Sequence, residues 1–166
     1  MYENEDSHAW YQATRELMLS FLKVNLKKKA VILDAGCGTG GTISYINSRY
    51  VGWKIFGIDS SETAIKYCKI RMLKNILKGN LNNLPYNNNF FDAVICSDVL
   101  YHQRVNPELV LKEFNRVLKK GGLLYLQEPA YQFLFSKHDR VIMTKHRFLK
   151  KEIIILAEKQ FKIIKC

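Results

Sequence analysis

Four glycines, Gly36, Gly38, Gly40 and Gly41, fall within six residues directly behind the apolar run Val31, Ile32, Leu33. A turn of this kind lets a ligand approach the main chain and offers it amide hydrogens and the positive end of the helix that follows. The chemistry it suits is nucleotide binding. Gly36, Gly38 and Gly41 also satisfy the GxGxxG spacing of dinucleotide-binding loops, so spacing alone leaves the choice of nucleotide open. Asp59, 18 residues beyond Gly41, supplies a carboxylate that can accept two ribose hydroxyls under either choice. A second group, His138, Asp139, His146 and Arg147, mixes imidazole, carboxylate and guanidinium. Its spacing does not bring the histidines and the aspartate onto one helical face. That argues for a hydrogen-bonded cluster and for no metal.

The elements that must position these groups alternate between helical and strand periods. Trp10, Ala13, Leu17, Phe21 and Val24 recur at helical spacing and predict an amphipathic helix with those residues inward. "AVILDA" reads as a buried strand, and Ile43, Ile46 and Tyr50 as one face of the next helix. "KIFGID" is a second strand, followed by a helix opening at Ser60 or Ser61 with Glu62 in its first turn and Ile65, Cys68 and Met72 as its apolar face. "NILKG" and "FDAVICS" read as the third and fourth strands. Asn106, Pro107 and Glu108 start a helix with Val110, Phe114 and Val117 inward, closed by Lys119, Lys120 and Gly121. "LLYLQEP" is a fifth strand, "KKEIIILAEKQ" a helix and "FKIIKC" a terminal strand. Strands alternating with helices imply an α/β fold with a doubly wound, mostly parallel sheet, which binds ligands beyond the carboxyl ends of its strands.

Composition narrows the class. At 166 residues and 48% hydrophobic content the chain suits one domain with a real core. No apolar run reaches membrane-spanning length, and "MYENEDSHAW" lacks the character of a secretory signal, so the expectation is a soluble, cytoplasmic protein. Cys37, Cys68, Cys96 and Cys166 form no CxxC pair and suggest buried free thiols. The net charge of +11 comes largely from dispersed lysines, which read as solvated surface. No run interleaves aromatic and basic residues as a platform for single strands, which argues against nucleic acid as partner.

Three further segments break the tie between nucleotides. "LDAGCGTG", "GNLNNLPYNNNFFDAVICSDVLYH" and "FNRVLKKGGLLYLQEP" resemble the motifs of class I S-adenosylmethionine-dependent methyltransferases, specifically the broad small-molecule group, and the match runs from about Trp10 to the C-terminus. Lys120 stands where that family usually has proline. The resemblance implies S-adenosylmethionine as cofactor. The main chain at Gly36, Gly38 and Gly40 and the side chain of Asp34 would then serve its methionine and ribose part, Asp59 the ribose hydroxyls, and Ser60 and Leu81 the adenine. Ser97 would lie beneath the sulfonium. Asn80 falls where an aspartate usually accepts from the adenine amino group; an amide oxygen can accept as well, without the charge. "HAWYQATR" resembles the family's lid helix, with Tyr11 and Arg15 over the methionine end.

The resemblance places the acceptor pocket beside His102, a candidate base of suitable ordinary pKa. "SKHDRVIMTKHRFLKKE" resembles a recurring stretch of bacterial methyltransferases, often found near glycan or polyprenyl biosynthesis genes. By that likeness His138, Asp139, His146 and Arg147 form a substrate lid. The expected organisation is one domain over 1–166, with 1–26 as the lid-helix region and 130–150 as the substrate lid. Base-methylating relatives usually carry Asn or Asp, then Pro-Pro and an aromatic after the fourth strand. Here Ser97, Asp98, Val99 and Leu100 occupy that place, which disfavours base methylation.

The family also implies a sixth strand and an antiparallel seventh between the fifth and sixth, whereas the sequence stops at Cys166, so the C-terminal strand region reads as shortened. An open edge invites association. The expectation is therefore a homo- or hetero-oligomer covering it, or a sixth strand pairing directly with the fifth; a truncated chain accounts for the same observation. Two functions remain. One is methyl transfer to a small-molecule or glycan-related acceptor. The other is an inactive, cofactor-binding subunit that stabilises a full-length partner.

Overall fold

The computed structural model describes residues 8–166, the side chain of His138 excepted. The first seven residues of the expected lid-helix region, 1–26, lie outside that range. Strands β1 (Val31–Ala35), β2 (Lys54–Asp59), β3 (Ile76–Lys78), β4 (Phe91–Ser97) and β5 (Leu118–Gln127) form one parallel sheet in the order β3-β2-β1-β4-β5. Chain order reverses between β1 and β4. A crevice must open there, beyond the carboxyl ends, because the connections leave in opposite directions.

The period of two along the strands divides the apolar side chains between two cores. Leu33 and Val94 face one core with Val110, Phe114 and Val117 of helix α4 (Pro107–Val117). Ile32, Ala93 and Ile95 face the other, with Leu19 and Leu22 of α1 (Ala9–Asn25) and Ile43 and Ile46 of α2 (Gly41–Arg49). Each fully buried side chain of this size contributes about 1.5–3 kcal/mol. Helix α3 (Glu62–Ile70) starts on Ser61, whose hydroxyl accepts the Ala64 amide hydrogen. Asn106 caps α4 by accepting the Glu108 and Leu109 amide hydrogens, with Pro107 in the first turn.

Several expectations are corrected: Lys119, Lys120 and Gly121 lie within β5 and do not close α4, which ends at Val117, and Cys166 is exposed while the other three thiols are buried. In α1 the buried stripe is Arg15, Met18, Leu19 and Leu22, while Trp10, Leu17 and Val24 are exposed. Met72 does not extend the apolar face of α3: the helix ends at Ile70, and Met72 is exposed with φ of 55°. Residues 161–166 follow α6 (Lys150–Glu158) without forming a strand. Among the described residues β5 therefore pairs on one side only, with β4. Between β5 and α6 lie a 3-10 turn, Gln132–Leu134, and the short helix α5 (Lys137–Val141). No helix among the described residues is long and apolar enough to cross a membrane.

Candidate functional site

The glycine loop joins β1 to α2 at the crevice. Gly36, Gly38 and Gly40 have φ of 81°, 53° and 81°. Two of them are bare because of the protein itself. A Cβ on Gly36 would lie 2.4 Å from Val99 Cγ2, and one on Gly40 would lie 2.3 Å from Leu73 Cδ1. Gly38 differs: a Cβ there would meet nothing within 4 Å, so its open side is the side available to a ligand. The loop is pinned from beneath. Gly36 and Cys37 donate their amide hydrogens to the Ile58 carbonyl at 2.8 and 3.0 Å, and Gly38 donates to Asp59 Oδ2 at 2.9 Å. Asp59 Oδ1 accepts from the Ser61 amide at 2.8 Å. The thiol of Cys68 donates to the Gly38 carbonyl at 3.3 Å, beside Cys37, whose own thiol is held protonated by that neighbour and by burial.

The other wall is the turn after β4. Glu128, just past β5, accepts the amide hydrogens of Val99, Leu100 and Tyr101 at 3.0, 2.8 and 3.2 Å. Burial pushes its pKa up to about 7, against the pull of those three amides. Asp98 has a left-handed backbone with φ of 57°. It is exposed to solvent, yet the protein around its carboxyl pushes its pKa up to about 6. Burial first, then the charges at Asp98 and Glu128, raise Tyr101 to about 12. His102 accepts the Arg104 amide hydrogen on Nδ1 at 3.2 Å, and burial, with Arg104, lowers its pKa.

Residues 33–126, more than half of the chain, match the family described as a methyltransferase domain. The chain belongs to the class I S-adenosylmethionine-dependent methyltransferases. It is 34% identical over 123 residues to a demethylmenaquinone methyltransferase of Geobacillus stearothermophilus, covering 69% of this chain and 51% of that one. It is 33% identical over 138 residues to a sterol 24-C-methyltransferase of Kluyveromyces lactis, covering 79% and 36%. The structure of a geranyl diphosphate methyltransferase in complex with S-adenosylmethionine superposes with a TM-score of 0.73 at 18% identity, covering 90% and 64%, which shows a shared fold. This methyltransferase domain spans about half the length, or less, of the curated relatives it matches. S-adenosylmethionine is the cofactor that membership brings.

The site fits an adenosyl cofactor on its own chemistry. Asp59 uses one lone pair on each oxygen for Gly38 and Ser61, which leaves one on each for a pair of hydroxyls. The methyltransferase domain gathers Asp34, Gly36, Gly38, Asp59, Ser60 and Ser97 at the carboxyl ends of β1, β2 and β4. Asp34 is buried and Ser60 exposed. Leu81 packs into the core with Leu84. The Asn80 side-chain oxygen is occupied by both the backbone and side-chain N–H groups of Asn82, in a turn tied through Asn82 to Asn106. On α1, the Arg15 guanidinium stands 5.7 Å from the Tyr11 ring centroid.

The four residues expected to form a substrate lid divide. Asp139 accepts two bonds from Arg147, at 2.8 and 3.1 Å, and two from Ser136; the guanidinium holds its carboxyl well below the usual range. His146 turns to Glu152 at 3.0 Å. The His138 side chain lies outside the described residues. Among those described, no three His, Cys, Asp or Glu side chains converge as a metal site. The segment nonetheless docks on the turn after β4: Lys145 donates to the Tyr101 carbonyl at 2.7 Å, and Gln103 to that of Met143 at 3.0 Å. Sequence reasoning missed Glu128 and Asp98. The signal for Glu128 was an acid ending an apolar strand, "LLYLQE", at the edge where ligands bind.

Proposed function

We propose that this domain transfers the methyl group of S-adenosylmethionine to a small-molecule acceptor, glycan-related acceptors included. The observation that carries the reading is the pairing of an open main chain at Gly38 with a carboxylate, Asp59, that has acceptor capacity to spare. Gly36, Gly38, Gly40 and Asp34 would serve the methionine and ribose part, Asp59 the ribose hydroxyls, and Ser60 and Leu81 the adenine side; Asn80, whose oxygen already accepts twice from Asn82, would meet the adenine with its amide N–H group. Ser97 would lie beneath the sulfur, with Tyr11 and Arg15 over the methionine end. The bound cofactor supplies a methyl carbon already activated by positive sulfur.

The chain's own task is then orientation. Holding an acceptor atom in line at near-attack distance is worth up to about 7–11 kcal/mol. His102, whose pKa burial lowers, would stand on the acceptor side and take a proton where the acceptor has one to lose, worth about 100- to 10,000-fold. Residues 130–150 form the substrate lid, riveted by Asp139 and Arg147. A strand from a second copy or another chain, added to the edge of β5 that is unpaired among the described residues, belongs to the same reading. An inactive subunit is the reading these features favour less.

The test is transfer of labelled methyl from S-adenosylmethionine to fractions of a host metabolite extract, with His102→Ala alongside. Label in one fraction, reduced in the variant, supports the proposal. Cofactor binding with no label in any fraction supports the non-catalytic subunit.

A further inference from the structure

Between β5 and α6 the chain exposes apolar side chains that a soluble lid has no reason to leave in water. Phe133 is 81% exposed and Val141 78%, with Tyr131, Leu134 and Met143 also exposed within the same thirteen residues. The rings of Tyr131 and Phe133 lie 5.5 Å apart, so the group is partly clustered. The same segment carries exposed Lys137, Arg140 and Lys145, and Lys150 and Lys151 follow it. From Pro129 to Lys151 the sequence has one acid, Asp139, which is 1% exposed and bound to Arg147. The outward charge of the segment is therefore positive.

The geometry points to this surface as a docking site for an anionic lipid bilayer. Exposed aromatic and aliphatic side chains flanked by lysine and arginine fit the boundary between headgroups and acyl chains, where apolar groups insert and cations meet acidic headgroups. A bilayer demands no matching shape and no directed hydrogen bonds. The segment suits that, because its inward hydrogen bonds hold its own fold together, through Asp139 with Ser136 and Arg147, and through Lys145 with Tyr101. The exposed stripe of α1 makes a useful contrast: Trp10, Leu17 and Val24 share their helix with the exposed Glu16. The lid segment is also hydrogen-bonded to the turn that carries Tyr101 and His102, so docking here brings a bilayer to the rim of the crevice. An acceptor resident in or anchored to that bilayer would meet the site directly. This last point rests on the proposed methyl transfer; the docking itself does not.

The experiment is co-sedimentation of the 166-residue chain with vesicles of phosphatidylcholine alone and of phosphatidylcholine with phosphatidylglycerol at about 7:3. Partition should be at least about tenfold greater with the anionic lipid, since each basic side chain near such a surface contributes about fivefold, and should fall as salt rises. The double variants Phe133→Ser with Leu134→Ser, and Lys137→Gln with Arg140→Gln, should each lose about tenfold or more while far-ultraviolet circular dichroism and the urea unfolding midpoint stay at the wild-type values. Equal binding to both vesicles, no binding, or full binding by the variants overturns the inference. So does concentration-dependent dimerisation, abolished by the same variants, in a chain that ignores vesicles; the patch would then join two copies. Vesicle binding without S-adenosylhomocysteine binding counts against the proposed function and leaves the docking standing.

Discussion

The Asp59 carboxylate ties the end of β2 to the glycine loop, one oxygen accepting from Gly38 at 2.9 Å and the other from Ser61 at 2.8 Å. The same group shapes the loop and, in the proposed function, takes the ribose hydroxyls. Asp59→Ala should weaken S-adenosylhomocysteine binding by roughly 10- to 150-fold, the loss of a charge-assisted bond of about 1.5–3 kcal/mol. The melting temperature should drop by a few degrees, since about 1 kcal/mol moves a domain of this size by about 2–4 °C. Calorimetric titration and thermal scans measure both; unchanged affinity would remove Asp59 from the site.

Gly36 and Gly38 should respond differently to alanine. Gly38→Ala incurs only the left-handed backbone penalty, about 1–2 kcal/mol. Gly36→Ala adds the collision with Val99 Cγ2 and should cost about 2–5 kcal/mol in all. Val99→Ala should recover part of the Gly36→Ala loss in urea unfolding and none of the Gly38→Ala loss. Equal losses at the two glycines would contradict this division.

Much of the fold was legible because β2 and β4 declare themselves by apolar runs between turn residues, and the structure places them at Lys54–Asp59 and Phe91–Ser97 as read. Helix α1 was legible in type and wrong in phase. Its sequence carries two apolar stripes, Trp10–Leu17–Val24 and Met18–Leu19–Leu22, and periodicity gives a repeat without saying which stripe meets the sheet. "FKIIKC" has the β-branched, apolar composition of a strand, but composition supplies no neighbouring edge to pair with. The ion pair of Asp139 with Arg147 joins residues eight apart, across a turn that no periodicity encodes.

Asp139 and Arg147 form a buried, bidentate pair with side-chain exposures of 1% and 20%. Asp139→Asn leaves the guanidinium without its charge partner and should cost about 3–5 kcal/mol. Because pairing lowers the folded-state pKa of Asp139, its contribution is present above the unfolded carboxylate value, about 4, and is lost as pH falls further. The stability gap between wild type and Asp139→Asn should therefore shrink below about pH 4 in urea titrations. A gap that widens there would reverse the assignment.

Glu128 carries the opposite sign. Its folded-state pKa, about 7 against an ordinary 4.5, means that the native state keeps a proton the unfolded state has released. Stability from this group is full below the ordinary value and is lost as pH rises through about 7. Asp98 acts in the same direction up to about 6, while the lowered pKa of His102 acts against both. Comparison with Glu128→Gln isolates the Glu128 effect. The wild-type urea midpoint should fall relative to the variant between about pH 5 and 8; a parallel pair of curves would mean that Glu128 is charged throughout.

The most direct measurement is calorimetric titration of the 166-residue chain with S-adenosylhomocysteine and, separately, with NAD. Saturable heat from S-adenosylhomocysteine at one site per chain, and none from NAD, is the expected result. Binding of NAD without S-adenosylhomocysteine would contradict the assignment of Gly38 and Asp59 to an adenosyl sulfonium.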